Sequence, residues 1–332
     1  MMNITYFELE EWEEHLLRRL FPDQDMYTVQ ESLNADNVAA YLKTEVISCS
    51  VYSNLTAPIL DQMTDLKLIA TRSTGTDHID FDYCRDRGIA VANVPTYGEH
   101  TVAEHVFALL LALSRHIPQA AQRTREGDFS FADFCGFDLH GKTLGLLGTG
   151  MIGQRVAQIA HGFGMNVLGY DTDTDAAGDF LKVDFHKLLF DSDIISLHVP
   201  STPETRNLLS DAEFKMMKDG VIIINTARGS IIDINALLRG LNSGKVAAAG
   251  LDVLPEEIAL HEGAKLLDGS FARQHNLETV IADYTLLHHK NVIITPHSAF
   301  YTKEAVERIL KTTGDNILSF MKGSARNIVN CA

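Results

Sequence analysis

The segment 143–160, TLGLLGTGMIGQRVAQIA, constrains the fold of this chain more than any other. An apolar run leads into Gly148, Gly150 and Gly153, and the residues that follow place Val156 and Ile159 at helical spacing. Each glycine in such a strand-to-helix turn has its own physical reason. Gly148 permits the tight turn, Gly150 lets the backbone approach a pyrophosphate, and Gly153 lets helix and strand pack closely. The start of the helix then presents unpaired N–H groups suited to phosphate. A plain tight turn would use the same glycines, so the surrounding sequence has to decide between the two.

The next strand, NVLGYD at 166–171, ends on Asp171, 18 residues beyond Gly153. An acidic side chain is expected there to meet the adenosine ribose hydroxyls. Its charge would repel a 2′-phosphate, and the residues from Thr172 to Gly178 include no Lys or Arg to bind one. NAD is therefore expected in preference to NADP.

β-branched and apolar runs alternate with helical patterns along the whole chain, the signature of βαβ units on parallel sheets. Five strands are predicted before the glycine motif, at 3–7, 26–30, 45–51, 67–73 and 89–95. Six follow from the motif onward, at 143–148, 166–171, 193–200, 221–228, 247–253 and 291–297. Several are continuously apolar, as strands covered on both faces should be. A helix with Val102, Val106, Leu109, Leu110 and Leu113 on one side connects the two series. Another, at about 302–321, carries Val306, Ile309, Leu310 and Ile317. It follows a completed sheet, so it is expected to cross back to the first domain.

The 332 residues carry 28 Lys and Arg against 44 Asp and Glu, a formal net charge of -16. With no net cationic field, nucleic acid and anionic membrane are poor partners. The four cysteines, Cys49, Cys84, Cys135 and Cys331, form no CxxC pair or metal-type cluster. No metal site is expected, and a reducing cytoplasm suits this usage. The amino terminus is acidic and amphipathic, unlike a signal peptide, and the longest apolar run, at 106–113, is too short to span a bilayer.

Ligands of doubly wound sheets gather at the carboxyl ends of the strands. Arg228, Asp252, Glu257 and His297 all stand at or just past predicted strand ends. An Arg228 guanidinium could bind a carboxylate through two parallel hydrogen bonds and polarise a neighbouring carbonyl. Histidine exchanges protons near neutral pH, so His297 suits interconversion of a carbonyl and an alcohol. Either Glu256 or Glu257 could hydrogen-bond that imidazole and hold its tautomer. Residue chemistry alone does not choose between them.

Four motifs, GLLGTGMIG, INTARGSIID, GLDVLPEE and ITPHSAFYT, occur in an order and spacing that resemble the D-isomer-specific 2-hydroxyacid dehydrogenases, particularly their D-lactate dehydrogenase branch. The resemblance spans essentially the full chain and includes STGTDHID at 73–80 and NVPTYGEHTVAEH at 93–105. It implies two doubly wound α/β domains, with a Rossmann NAD-binding domain, 99–298, inserted into a flavodoxin-like substrate domain built from 1–98 and 299–332. It further implies that Arg228 orients the substrate carboxylate, that His297 is the acid/base and that Glu257 is its partner. Asp252 would be the nicotinamide-side aspartate, and its five-residue lead favours Glu257 over Glu256.

Along the cofactor the resemblance places Met151, Ile152, Val199, Pro200, Thr205, Thr226 and Ala227. Thr74 and Gly75 would help hold the substrate carboxylate, with Tyr52, Tyr97 and Phe300 lining the substrate end. Three rings favour a small side chain, so reversible reduction of pyruvate to D-lactate is the expected reaction. Glyoxylate, hydroxypyruvate and bulkier 2-keto acids stand behind it, as do phosphite or formate oxidation and a nucleotide-sensing corepressor of the same fold. A homodimer formed through the cofactor domains is also implied, to which the helix near 100–115 either contributes or is buried within the monomer. One departure is the 40-residue interval from Glu257 to His297, whose segment 258–290 has no clear periodicity.

Overall fold

Short apolar runs bounded by polar residues become parallel strands here because helices cover both faces of each sheet. The computed structural model describes residues 2–173, 178–257 and 276–330. These fall into two units, Met1–Tyr97 with Tyr301–Ala332, and Gly98–Phe300.

The first unit holds β1 (Ile4–Tyr6), β2 (Tyr27–Thr28), β3 (Val46–Cys49), β4 (Leu68–Thr71) and β5 (Ala90–Ala92). They pair in parallel in the order β2-β1-β3-β4-β5, the flavodoxin-like arrangement. Alternate residues face opposite sides. Ile47, Ile69 and Val91 pack into one core cluster, whereas Val46, Leu68, Ala70 and Ala92 enter another. The helix Lys303–Met321 contributes Val306, Leu310 and Ile317 to the second cluster. Its start is capped by the Thr302 hydroxyl, which accepts from the Ala305 N–H at 3.2 Å.

The sequence pattern does not foretell how the outer edge of β5 is closed. Residues 327–330 run beside it: Val329 N–H donates to the Val91 carbonyl at 2.8 Å, and Val91 N–H donates to Asn330 Oδ1 at 2.8 Å. Such cover removes an open strand edge that would otherwise invite pairing with another chain.

In the second unit β6 (Thr143–Leu147), β7 (Asn166–Tyr170), β8 (Leu181–Lys182), β9 (Ile194–Leu197), β10 (Val221–Asn225), β11 (Val246–Leu251) and β12 (Val292–Ile294) form one parallel sheet. Their order is β12-β11-β10-β9-β6-β7-β8. The sheet thus has seven strands where the sequence pattern indicates six. The addition is β8, a two-residue edge strand with Leu181 exposed, too short to display any alternation. From β8 inward the order matches the Rossmann arrangement, in which the chain reverses direction of travel between β6 and β9.

The connecting helix Glu99–Ser114 buries Ala103, Val106, Leu109, Leu110 and Leu113 against Leu144 and Leu146 of β6 and Val156 of the helix Met151–Gly162. Within 258–290, residues 258–275 lie outside the described residues, but Leu277–Leu287 is a helix. Asn276 caps it, accepting from the Glu278 and Thr279 N–H groups, and Ala282 and Leu286 are buried in the core cluster that includes Leu237 and Leu241. Leu277, Ile281, Tyr284 and Leu287 of the same helix are exposed although apolar, so no clean apolar–polar repeat marks it in the sequence.

Candidate active site

At the end of β6 the chain makes the turn that only glycine tolerates. Gly148 has φ +94°, and a Cβ there would lie 2.5 Å from the His198 carbonyl oxygen. At Gly153 an added Cβ would lie 2.3 Å from the Gly148 oxygen, which is the close strand-to-helix approach the spacing implies. Gly150 differs, since a Cβ built on it meets no atom within 4 Å. It caps the helix Met151–Gly162 without a side-chain hydrogen bond. The first-turn N–H groups therefore border open space, a suitable cradle for pyrophosphate.

Asp171, just past β7, is fastened to that turn. Its Oδ2 accepts from the Thr149 N–H at 2.7 Å and hydroxyl at 3.1 Å, and its Oδ1 accepts from the Asp173 N–H at 3.0 Å. Partial burial works to raise its pKa, but the hydrogen bonds from Thr149, Asp173 and Thr172 prevail and hold the carboxyl below its usual range. A fixed carboxylate at the end of the second Rossmann strand fits the ribose of NAD and opposes a 2′-phosphate.

The ends of β9 and β10 supply further positions. After β9, Val199 is half-buried and Pro200 exposed, and the Thr205 hydroxyl donates to the Pro200 carbonyl at 2.6 Å. After β10, Asn225 organises the turn, a role for which the sequence offers no signal. Its Oδ1 accepts from Ala227 N–H at 3.0 Å and its Nδ2 donates to the Arg228 carbonyl at 2.9 Å. Thr226 Oγ1 is buried without a hydrogen-bond partner. Orphaned polar atoms of this kind are costly, so one at a strand end fits a polar group of a bound cofactor. The exposed Met151 and half-buried Ile152 flank the same glycine turn.

Arg228 stands in extended backbone before Gly229, which closes the approach of two loops. A Cβ on Gly229 would lie 2.1 Å from the Leu254 carbonyl carbon and 2.3 Å from Pro255 N. The Arg228 loop consequently packs directly on the turn that leads to Glu257. That glutamate accepts from His297 Nδ1 at 2.8 Å, with the two side chains 29% and 16% exposed. Because a carboxylate can only accept, Nδ1 carries the proton and Nε2 is turned to the other side of the ring. The Glu256 carboxylate is engaged elsewhere, its Oε1 accepting from Asn276 N–H at 3.3 Å, while its own N–H donates to Asp283 Oδ2 at 3.0 Å.

His297 has φ +50°, a left-handed conformation that costs a non-glycine residue about 1–2 kcal/mol. Asp252 holds it there. Its backbone oxygen accepts from the His297 N–H at 2.9 Å, and its carboxylate accepts from Ser298 N–H and Ala299 N–H, each at 2.9 Å, and from the Thr295 hydroxyl at 2.6 Å. Asp252 is 1% exposed, so its carboxylate serves the loop that carries the imidazole. Phe300 is half-buried directly after that loop.

In the first unit, the loop after β4 is braced by its own side chains. Thr74 Oγ1 donates to the Val94 carbonyl at 2.9 Å, Ser73 Oγ to the Gly75 carbonyl at 2.6 Å, and Asn93 Nδ2 to the Thr74 carbonyl at 2.9 Å. Buried Arg72 donates to the Phe7 and Glu8 carbonyls and to Ser48 Oγ, tying the ends of β1, β3 and β4 together. Tyr52 N–H donates to Glu8 Oε2 at 3.3 Å, and the Tyr97 carbonyl accepts from Arg308 Nε at 2.8 Å.

Rossmann strand order, a glycine turn at the first strand, an acidic residue at the second and a carboxylate–imidazole pair past the last define a nicotinamide-dependent oxidoreductase. A family model described as D-isomer specific 2-hydroxyacid dehydrogenase, NAD binding domain, matches residues 107–299. The D-lactate dehydrogenase of Escherichia coli is 37% identical over 284 residues, 84% of each chain. The glycerate dehydrogenase of Methylorubrum extorquens is 38% identical over 279 residues, 82% of each. Among solved structures, D-lactate dehydrogenase from Aquifex aeolicus complexed with NAD and lactic acid superposes with TM-score 0.85 at 36% identity, covering 97% of this chain and 96% of that one. The chain belongs to the D-isomer-specific 2-hydroxyacid dehydrogenase family and is an NAD-dependent oxidoreductase. Among the described residues no His, Cys, Asp and Glu cluster could hold a metal ion, and no helix is long and apolar enough to cross a membrane.

Proposed function

We propose that this enzyme interconverts pyruvate and D-lactate. The observation that carries the reading is the His297–Glu257 pair, 2.8 Å apart, on a loop held in a strained conformation by Asp252. Bound NADH supplies the hydride for C2 of the keto acid. His297 Nε2 gives its proton to the carbonyl oxygen as that oxygen gains charge, and takes it back in the reverse direction. Glu257 holds the tautomer and balances the charge of the imidazolium. Arg228 grips the carboxylate through its planar fork and stabilises negative charge developing at the carbonyl. The family resemblance assigns the loop containing Thr74 and Gly75, braced within the first unit, to the substrate carboxylate.

Along NAD we assign Gly148, Gly150, Met151, Ile152 and Gly153 to the pyrophosphate side and Asp171 to the ribose. Val199, Pro200, Thr205, Thr226, Ala227 and Asp252 line or support the nicotinamide side. The family resemblance assigns Tyr52, Tyr97 and Phe300 to the substrate end, and aromatic rings there favour a small substrate side chain. Hydroxypyruvate is the second reading, supported by the similarity to glycerate dehydrogenase. NADH oxidation against a panel of pyruvate, glyoxylate, hydroxypyruvate and longer or aromatic 2-keto acids tests the assignment. The highest kcat/KM on pyruvate is expected, and a higher value on any other member overturns it. Arg228→Gln should raise KM and lower kcat, whereas His297→Ala should chiefly remove turnover. Wild-type turnover by His297→Ala defeats the acid/base reading.

A homodimer is the assembly we favour. Ile117, Phe129 and Phe131 are 54%, 81% and 85% exposed, large apolar side chains of the kind that a second copy would cover. A monomeric mass by light scattering at micromolar concentration would exclude it. The cytoplasm suits the free thiols of Cys49, Cys84 and Cys135.

A further inference from the structure

We propose that His105 is a positioning residue for the acid/base histidine, acting through Thr295 and Asp252. This rests on the reading of His297 given above. His105 lies on the connecting helix Glu99–Ser114, whose Ala103, Val106 and Leu109 are packed in the core. Its Nε2 is 3.0 Å from Thr295 Oγ1 and 3.4 Å from Asp252 Oδ1.

Hydrogen-bond accounting sets the direction of the chain of contacts. A hydroxyl has one proton, and the shortest contact of Thr295 Oγ1, 2.6 Å, is to a carboxylate that can only accept. Thr295 therefore donates to Asp252, and His105 Nε2–H donates to Thr295. The result is a relay of donors, His105 to Thr295 to Asp252. Thr295 precedes His297 by two residues, and Asp252 takes the two N–H groups that follow it. Left-handed backbone at a histidine persists only where its surroundings over-determine it. Asp252 fixes both flanks of His297, while His105 anchors Thr295 to a helix outside the loop. The imidazole of His105 touches none of the reacting groups in this arrangement. Its effect is on how often His297 is aimed correctly, which enters turnover and leaves coenzyme affinity alone.

The test is steady-state kinetics with the best 2-keto acid of the panel, alongside NADH titration by fluorescence and thermal melting by circular dichroism. His105→Ala should lower kcat about tenfold, the scale of one hydrogen bond to a charged network, with the dissociation constant of NADH within about twofold of wild type. His105→Gln, which keeps a donor near the Nε2 position, should recover kcat to within about threefold. Thr295→Val should reproduce the loss, and Thr295→Ser should not. The double variant His105→Ala/Thr295→Val should be no slower than the slower single variant, because both act on one path.

Wild-type kcat in His105→Ala, a Gln variant as slow as the Ala variant, or losses that multiply in the double variant would each overturn the proposal. If His105→Ala does not fold, the Ser and Val variants at Thr295 decide: equal losses in the two overturn it. His297→Ala is measured in parallel. Full activity there refutes the acid/base reading itself, whereas an inactive His297→Ala with a fully active His105→Ala refutes this inference alone.

Discussion

Replacing Asp283 by Asn should stabilise the second unit at pH 8 far more than at pH 5. Asp283 is fully buried on the helix Leu277–Leu287, with Oδ2 accepting from Glu256 N–H and Oδ1 without a partner. Burial raises its pKa from 3.8 to about 7, opposed by that N–H and reinforced by the negative charges of Glu256 and Glu257. The folded state thus keeps a proton that the unfolded state releases at lower pH. Below pH 3.8 both states are protonated and the group is neutral to stability. Between 3.8 and about 7 stability falls as pH rises, and above about 7 the full penalty is present.

Linkage puts that penalty at about 1.5 kcal/mol at pH 5 and about 4 kcal/mol at pH 8. Asn keeps an acceptor for Glu256 N–H but cannot ionise. Its amide leaves a pH-independent cost at the Oδ1 position, so the quantity to read is the change between the two pH values, about 2.5 kcal/mol in favour of the variant at pH 8. Urea unfolding followed by far-ultraviolet circular dichroism measures it. Fluorescence would not, because the single tryptophan, Trp12, belongs to the other unit. A stability difference between variant and wild type that is the same at both pH values, or larger at pH 5, would refute the reasoning.

Gly150→Ala meets open space, so its melting temperature should match wild type while the dissociation constant of NADH rises about tenfold or more; a stability loss with unchanged NADH affinity contradicts the cradle. Gly229→Ala forces backbone apart at Leu254 and Pro255 and should destabilise by about 1–3 kcal/mol as well as suppress kcat, read from melts and turnover together. Asp171→Ala should lower kcat/KM for NADH by about tenfold and narrow the preference over NADPH, since it removes both a ribose contact and a repulsive charge. An unaltered NADH to NADPH ratio in that variant would show that specificity lies elsewhere.

Much of the molecule is written in local pattern. The strands with continuous apolar runs, the glycine turn, Asp171 at the end of β7 and the strand-end placement of Arg228 and His297 follow from the period of side chains and from the steric freedom of glycine. Those are properties of neighbours along the chain, and so a single sequence determines them. Other features arise only when distant segments meet. The edge strand β8 is too short to carry a pattern, and the helix Leu277–Leu287 has exposed apolar residues as well as buried ones, so it shows no clean repeat. The strand-end position of Asp252 is legible in the sequence, but the three backbone and hydroxyl donors on another loop that its carboxylate accepts from are not. His105 and Thr295 are 190 residues apart, and nothing in either stretch signals that they share a hydrogen bond. The chain alone thus determined which chemistry is present and on which strand ends it stands. Tertiary packing decided which polar groups hold the His297 loop in place, because the atoms that satisfy a buried donor or acceptor are supplied by whichever segments the fold brings together.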